Sequence, residues 1–156
     1  MEAGQTAADL YVLCHVGGAV YAIPARSVRH AELVPAIARL PDAPPYVEGV
    51  AIVRGHVLAV VSLRLRLGLP SQPHDMRARL VVVRHGEHAA ALLVDSAREF
   101  LRIPAEVVQP APEGLGEPGT GFLAGVARLG ERLILILRVD AILGELAHSA
   151  PAGATV

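Results

Sequence analysis

The sequence has no lysine, no tryptophan and one cysteine, Cys14. A lone cysteine excludes a disulfide framework and suits a reducing compartment, so a cytoplasmic protein is expected. With lysine absent, all 14 basic residues are arginine, scattered without a basic run in a chain of formal net charge −1. That balance argues against nucleic-acid binding and against adhesion to an acidic membrane surface, both of which draw on dense positive charge. Aromatic residues make up 3% of the chain, namely Tyr11, Tyr21, Tyr46, Phe100 and Phe122, too few to form base-stacking platforms. Long apolar runs are missing as well. The stretch Leu10–Ala25 is interrupted by Gly17, Gly18 and Pro24, whereas a membrane-spanning helix needs about 20 apolar residues. The opening Met1-Glu2-Ala3-Gly4-Gln5 lacks the basic and apolar regions of a signal peptide.

The sequence is instead rich in short Val/Leu/Ile/Ala runs broken at glycine. Leu10–Val16 and Ala19–Ile23 flank Gly17-Gly18, and Gly49–Arg54 and His56–Leu63 flank Gly55. Arg79–His85 and His88–Val94 flank Gly86-Glu87, and Phe122–Leu129 and Arg132–Leu137 flank Gly130-Glu131. Such spacing predicts four β-hairpins and an all-β fold, because tight hairpin turns need positive φ. Runs such as Val57-Leu58-Ala59-Val60-Val61 are apolar on both strand faces. A sheet with one wet face alternates, so closed barrels, or barrels packed on one another, are expected. A weak internal repeat supports two sibling lobes: GVAIVRGHVLAVVSLRLRLG at 49–68 and GVARLGERLILILRVDAILG at 125–144. The tails 63–67 and 139–146 are the two short helices expected. The predicted organisation is a flexible N-terminus over 1–8, lobes over 9–68 and 79–147 that could exchange strands, a proline-containing linker over 69–78, and a disordered tail over 148–156.

No constellation for catalysis emerges. His85 and His88 flank one turn with Glu87 between them, but no cysteine or further ligand lies at compact spacing, and a structural metal site normally needs four close ligands. Cys14 shares a strand face with Leu10 and Val12, which predicts a buried, inert thiol. Gly114-Leu115-Gly116-Glu117-Pro118-Gly119 matches G-x-G-x-x-G. It lacks the preceding strand and following helix that a dinucleotide site requires. The five serines, Ser27, Ser62, Ser71, Ser96 and Ser149, sit in no nucleophile elbow. No enzyme activity, metal, nucleotide or other cofactor is expected.

The stretch from Pro44 to Arg64, PPYVEGVAIVRGHVLAVVSLR, resembles the signature of the CheW family of chemotaxis coupling proteins. The likeness continues through Leu92-Leu93-Val94-Asp95, Gln109-Pro110-Ala111-Pro112 and Gly130–Leu137, and covers about residues 9–147. It implies an all-β fold of two SH3-like five-stranded β-barrel lobes. It also implies a non-catalytic adaptor that joins the cytoplasmic tips of methyl-accepting chemoreceptors to the regulatory domain of a CheA-type histidine kinase. Such an adaptor would be cytoplasmic and recruited to membrane-associated receptor arrays, without inserting in the membrane. The alternative is a divergent module of the same fold that serves another motility or polar-localisation protein without kinase coupling.

Carried over position by position, the family's receptor-facing residues fall on Val28, His30, Gly49 and Arg54. Its kinase-facing ring loop falls on Gln109, Pro110 and Glu113. The chain departs from the family pattern at several of these places. His30 stands where the family often has a glutamate that pairs with the arginine at Arg54. Glu32, two residues on and therefore on the same strand face, could take over that role. Ile52, Ala59 and Ser62 replace the family's Asn, Pro and Asp, and Ala91 replaces a Gly. Gln109 stands in place of a frequent Arg, and Gly114 in place of an aromatic or apolar residue.

Overall fold

The computed structural model describes residues 9–112 and 119–147. All four predicted hairpins form. They pair β1 (Asp9–Val16) with β2 (Ala19–Pro24), β4 (Val47–Val53) with β5 (His56–Ser62), β6 (Arg79–His85) with β7 (His88–Val94), and β10 (Leu123–Leu129) with β11 (Arg132–Leu137). The two short helices come after β5 and β11, as α1 (Leu63–Arg66) and α2 (Val139–Leu143). Three strands lie outside the predicted hairpins: β3 (Val28–Leu33), which contains the His30 and Glu32 strand face, β8 (Ser96–Ile103) and the two-residue β9 (Val108–Gln109).

The strands outside the hairpins hold the molecule together. One sheet has the order β9-β10-β11-β2-β1-β8, and the other β3-β6-β7-β5-β4. After β2 the chain crosses over, and β3 pairs with β6, Ala31 opposite Val81. After β7 it crosses back, and β8 pairs with β1, Val12 opposite Phe100. The exchange is reciprocal, so stretches 9–68 and 79–147 each supply strands to both sheets. Each sheet also contains one parallel pair, β11 with β2 and β5 with β7. Neither sheet closes into a barrel. That corrects the expectation of closed lobes, although each sheet curls around its own core and the SH3-like fold is retained. The first sheet also carries six strands where five were expected, because β9 extends its edge.

The double-faced apolar runs now have a physical account. Alternate residues of one strand enter different cores. In β6, Leu80 and Val82 pack into the core of the five-stranded sheet, while Val81 and Val83 face a central core between the sheets. In β2, Ala22 packs inside the six-stranded sheet, and Tyr21 and Ile23 face the centre. The central core takes Cys14 and Val16 from β1 and Val61 from β5, and it is capped by Leu63 of α1 and by Ile142 and Leu143 of α2. Each of these strands is thus buried on both sides, and neither sheet presents a dry face to solvent.

The repeat is also structural. Gly49 and Gly125 both sit at register shifts, in β4 and β10 respectively. At each, a neighbouring backbone presses where a side chain would be. A Cβ on Gly49 would lie 2.0 Å from the Ala38 carbonyl oxygen, and one on Gly125 would lie 2.8 Å from that of Gln109. The crossing segments are secured by the Ala38–Val50 bridge and by β9. Only glycine admits so close a backbone approach.

Candidate functional site

Arg54 and Gly55 form the tight turn between β4 and β5, with φ of 51° and 82°. Positive φ at both positions is the geometry of a two-residue hairpin turn, and arginine accepts it at some cost. The turn carries the Arg54 side chain out to solvent, 64% exposed. β3 and β4 are opposite edges of the five-stranded sheet, yet Arg54 Nε contacts Glu32 Oε2 of β3. The sheet therefore curls far enough for its two edges to meet across an ion pair. Glu32 thus takes the place expected of it as the partner of Arg54. His30 lies on the same face, its Nε2 3.6 Å from Glu32 Oε2. Both His30 ring nitrogens and Glu32 Oε2 are buried without an aligned hydrogen bond, so the Arg54–Glu32 contact acts through charge.

A groove of about 560 Å³ opens beside this ion pair. Its floor is apolar, formed by Val53, Leu58, Val82 and Ala89, and His30 and Arg54 stand on its edge. A smaller groove of about 230 Å³ adjoins it on the other side of β3, lined by Val28, His30 and the 66% exposed ring of Phe100. His30 therefore belongs to both grooves, with Val28 on one side and Arg54 on the other. Gly49 is placed differently: it is buried beneath the Ala38 carbonyl and shapes the sheet edge. Gln109 and Pro110 are exposed at the far edge of the six-stranded sheet, where Gln109 pairs with Val126. Glu113 lies outside the described residues, as do residues 114–118 of the glycine motif and the tail from 148. The motif's last residue opens a single turn of 3-10 helix over Gly119–Phe122, and a strand comes next, which is not the context of a dinucleotide site.

A second constellation escaped the sequence reading. Asp95, at the β7–β8 crossover, accepts two hydrogen bonds from Arg64 of α1, Nε to Oδ1 at 3.0 Å and Nη2 to Oδ2 at 2.9 Å. It also accepts one from the Gly17 amide at 3.0 Å, and its own N–H donates to the His15 carbonyl. Partial burial pushes the Asp95 carboxyl up. The Arg64 and Gly17 hydrogen bonds and the Arg64 charge outweigh that and leave it below its ordinary value. Nearby, Arg66 caps α2, donating to the Ile142 and Ala141 carbonyls at 2.8 and 3.0 Å, with its guanidinium 3.9 Å from the Tyr46 ring centre and 4.9 Å from that of Phe122. The signal for the first pair was present in the matched Val94-Asp95 and Leu63-Arg64 dipeptides, but no spacing rule joins them across 31 residues. Ser62, standing in for the family Asp, is buried, and its hydroxyl accepts from the Leu65 amide. The substitution preserves the N-cap of α1, since Ser and Asp both serve that role.

Among the described residues no group of three or more His, Cys, Asp or Glu side chains could hold a metal ion. Cys14 is wholly buried, and burial pushes its thiol up to about 12. No helix among them is long and apolar enough to cross a membrane. Two interlocked SH3-like sheets, latched by arginines and edged by open grooves, make up the described part of the chain. The chain belongs to the CheW-like domain family, whose profile matches residues 10–147. That family consists of non-catalytic chemotaxis scaffolds. The chain is 34% identical over 128 residues to the chemotaxis protein CheW of Helicobacter pylori, covering 82% of this chain and 77% of that one. It is 27% identical over 145 residues to the CheW of Bacillus subtilis, covering 93% of each. Its fold matches the crystal structure of the scaffolding protein TtCheW from Thermoanaerobacter tengcongensis with a TM-score of 0.81, at 22% identity, over 88% of this chain and 94% of that one.

Proposed function

We propose that this chain couples the cytoplasmic tips of methyl-accepting chemoreceptors to the regulatory domain of a CheA-type histidine kinase, in the cytoplasm at membrane-associated receptor arrays. The observation that carries the reading is the family match across residues 10–147, which includes both sheets and the groove edge at Arg54. In this reading Val28, His30 and Arg54 face the receptor, and Gly49 acts indirectly by fixing the sheet edge beside them. Gln109, Pro110 and Glu113 face the kinase. The chain contributes no chemistry: it holds two partners at a fixed distance and orientation, which the interlocked sheets suit.

Reconstitution tests this. Kinase autophosphorylation is measured with receptor fragments in the presence and absence of the chain. Receptor control of the kinase that appears only with the chain supports coupling. Binding to the receptor without binding to the kinase would instead point to a scaffold for another motility or polar-localisation protein. The Arg54→Glu variant is expected to lose about 1–3 kcal/mol of receptor affinity, the range for a charge-assisted contact. The side chain is exposed, but the reversal sets a carboxylate against Glu32, so the thermal midpoint is measured beside the affinity. Arg54→Gln, which loses the contact without that repulsion, separates a receptor-facing role from a structural one. An unchanged affinity would remove Arg54 from the receptor surface.

A further inference from the structure

The groove beside Arg54 has a charge pattern that the family positions do not account for. β3 carries a bulge: Val28 pairs with Val83 and His30 with Val82, leaving Arg29 unpaired between them. A bulge turns a side chain out of strict alternation. Here it brings Arg29 to the same groove as its neighbour His30. Arg29 is exposed and its side chain, among the described residues, makes no hydrogen bond or ion pair. Arg84, near the end of β6, the strand paired with β3, lines the same groove, and its Nε–H donates to the Gly86 carbonyl at 2.9 Å. Arg54 completes a rim of three arginines. Glu87 is the one acidic residue lining the groove, and Glu32 is already engaged by Arg54. Between the arginines lies the apolar floor. In a chain whose formal net charge is −1, this is a local inversion of sign around a hydrophobic strip.

We propose that the groove seats an acidic, amphipathic segment of the receptor tip, with apolar side chains against Val53, Leu58, Val82 and Ala89 and carboxylates on Arg29 and Arg84. The inference rests on the receptor-coupling reading and adds to it a partner chemistry and two specificity-determining residues. Guanidinium suits the role because it meets a carboxylate with two parallel donors and stays charged at any working pH. Arg29 needs no rearrangement to engage, since no internal partner must first be released.

The test is titration of the full chain with a receptor cytoplasmic-tip fragment at about 50 and about 300 mM NaCl, salt levels between which exposed charge attraction is strongly screened. Arg29→Glu and the double variant Arg29→Glu/Arg84→Glu are compared with Arg102→Glu, an exposed arginine of β8 outside the groove. Thermal midpoints check folding, and Arg29→Glu, which disturbs no internal bond, keeps the test valid if the double variant is unstable. The expected result is about tenfold or greater weakening for Arg29→Glu at low salt, a smaller deficit at high salt, and little change for Arg102→Glu. Wild-type binding that Arg29→Glu leaves intact, or an equal loss with Arg102→Glu, overturns the acidic-partner inference alone. Absence of wild-type binding to the receptor fragment overturns the coupling reading on which it rests.

Discussion

Replacing Asp95 with alanine removes the acceptor for three hydrogen bonds, two from Arg64 and one from the Gly17 amide. The consequences differ by donor. Gly17 is exposed and its amide regains water, so that loss is small. The Arg64 side chain is 16% exposed and loses its counter-charge, keeping only a long 3.4 Å contact to the Pro70 carbonyl. A hydrogen bond to a charged group is worth about 1.5–3 kcal/mol, and stranding a half-buried charge costs as much again. Asp95 is itself 39% exposed, and solvent screening discounts the electrostatic part. A net loss of about 2–3 kcal/mol is expected. For a domain of this size that lowers the melting midpoint by about 4–12 °C. The pH dependence has a defined sign. The carboxyl is held below its ordinary value in the folded chain, so its contribution is complete above the unfolded pKa, about 3.9, and fades as pH falls through the folded value. Urea melts recorded by circular dichroism should show a constant gap between wild type and Asp95→Ala from about pH 5 to 8 and a closing gap below about pH 4. A midpoint change under about 1 °C, or a gap that persists unchanged in acid, would refute the latch.

Arg66→Lys should destabilise the chain by about 1–3 kcal/mol, because an ammonium cannot cap two α2 carbonyls while stacking on Tyr46 and Phe122; a denaturation midpoint equal to wild type would show that any cation suffices. Gly49→Ala should cost more than Gly125→Ala, since the added Cβ meets the backbone oxygen at 2.0 Å in one case and 2.8 Å in the other, and equal losses in urea melts would contradict the close approach at Ala38. Cys14, wholly buried with its thiol raised to about 12, should resist a thiol reagent in the native state and react promptly in denaturant. Fast native labelling would mean that the central core opens.

Much of this protein is determined by its sequence through local rules. The four hairpins and two short helices were legible because glycine turns, β-branched runs and Leu-rich tails act over a few residues. The doubled apolar character of strands such as Val57–Val61 announced burial on both faces, and the Gly49/Gly125 repeat announced two sibling sheets. The resemblance carried by Pro44–Arg64 pointed to the family. Three things depended on tertiary structure. β3 and β8 read as mixed polar stretches, VRHAEL and SAREFLRI, because edge strands are half-buried and need no continuous apolar run. Their exchange between sheets is a long-range pairing, and no periodicity records which edge a strand will find. The Arg64–Asp95 latch and the Arg29–Arg54–Arg84 rim join residues tens of positions apart, whose chemistry exists only once the curled sheets bring their guanidinium groups to a shared carboxylate or a shared groove.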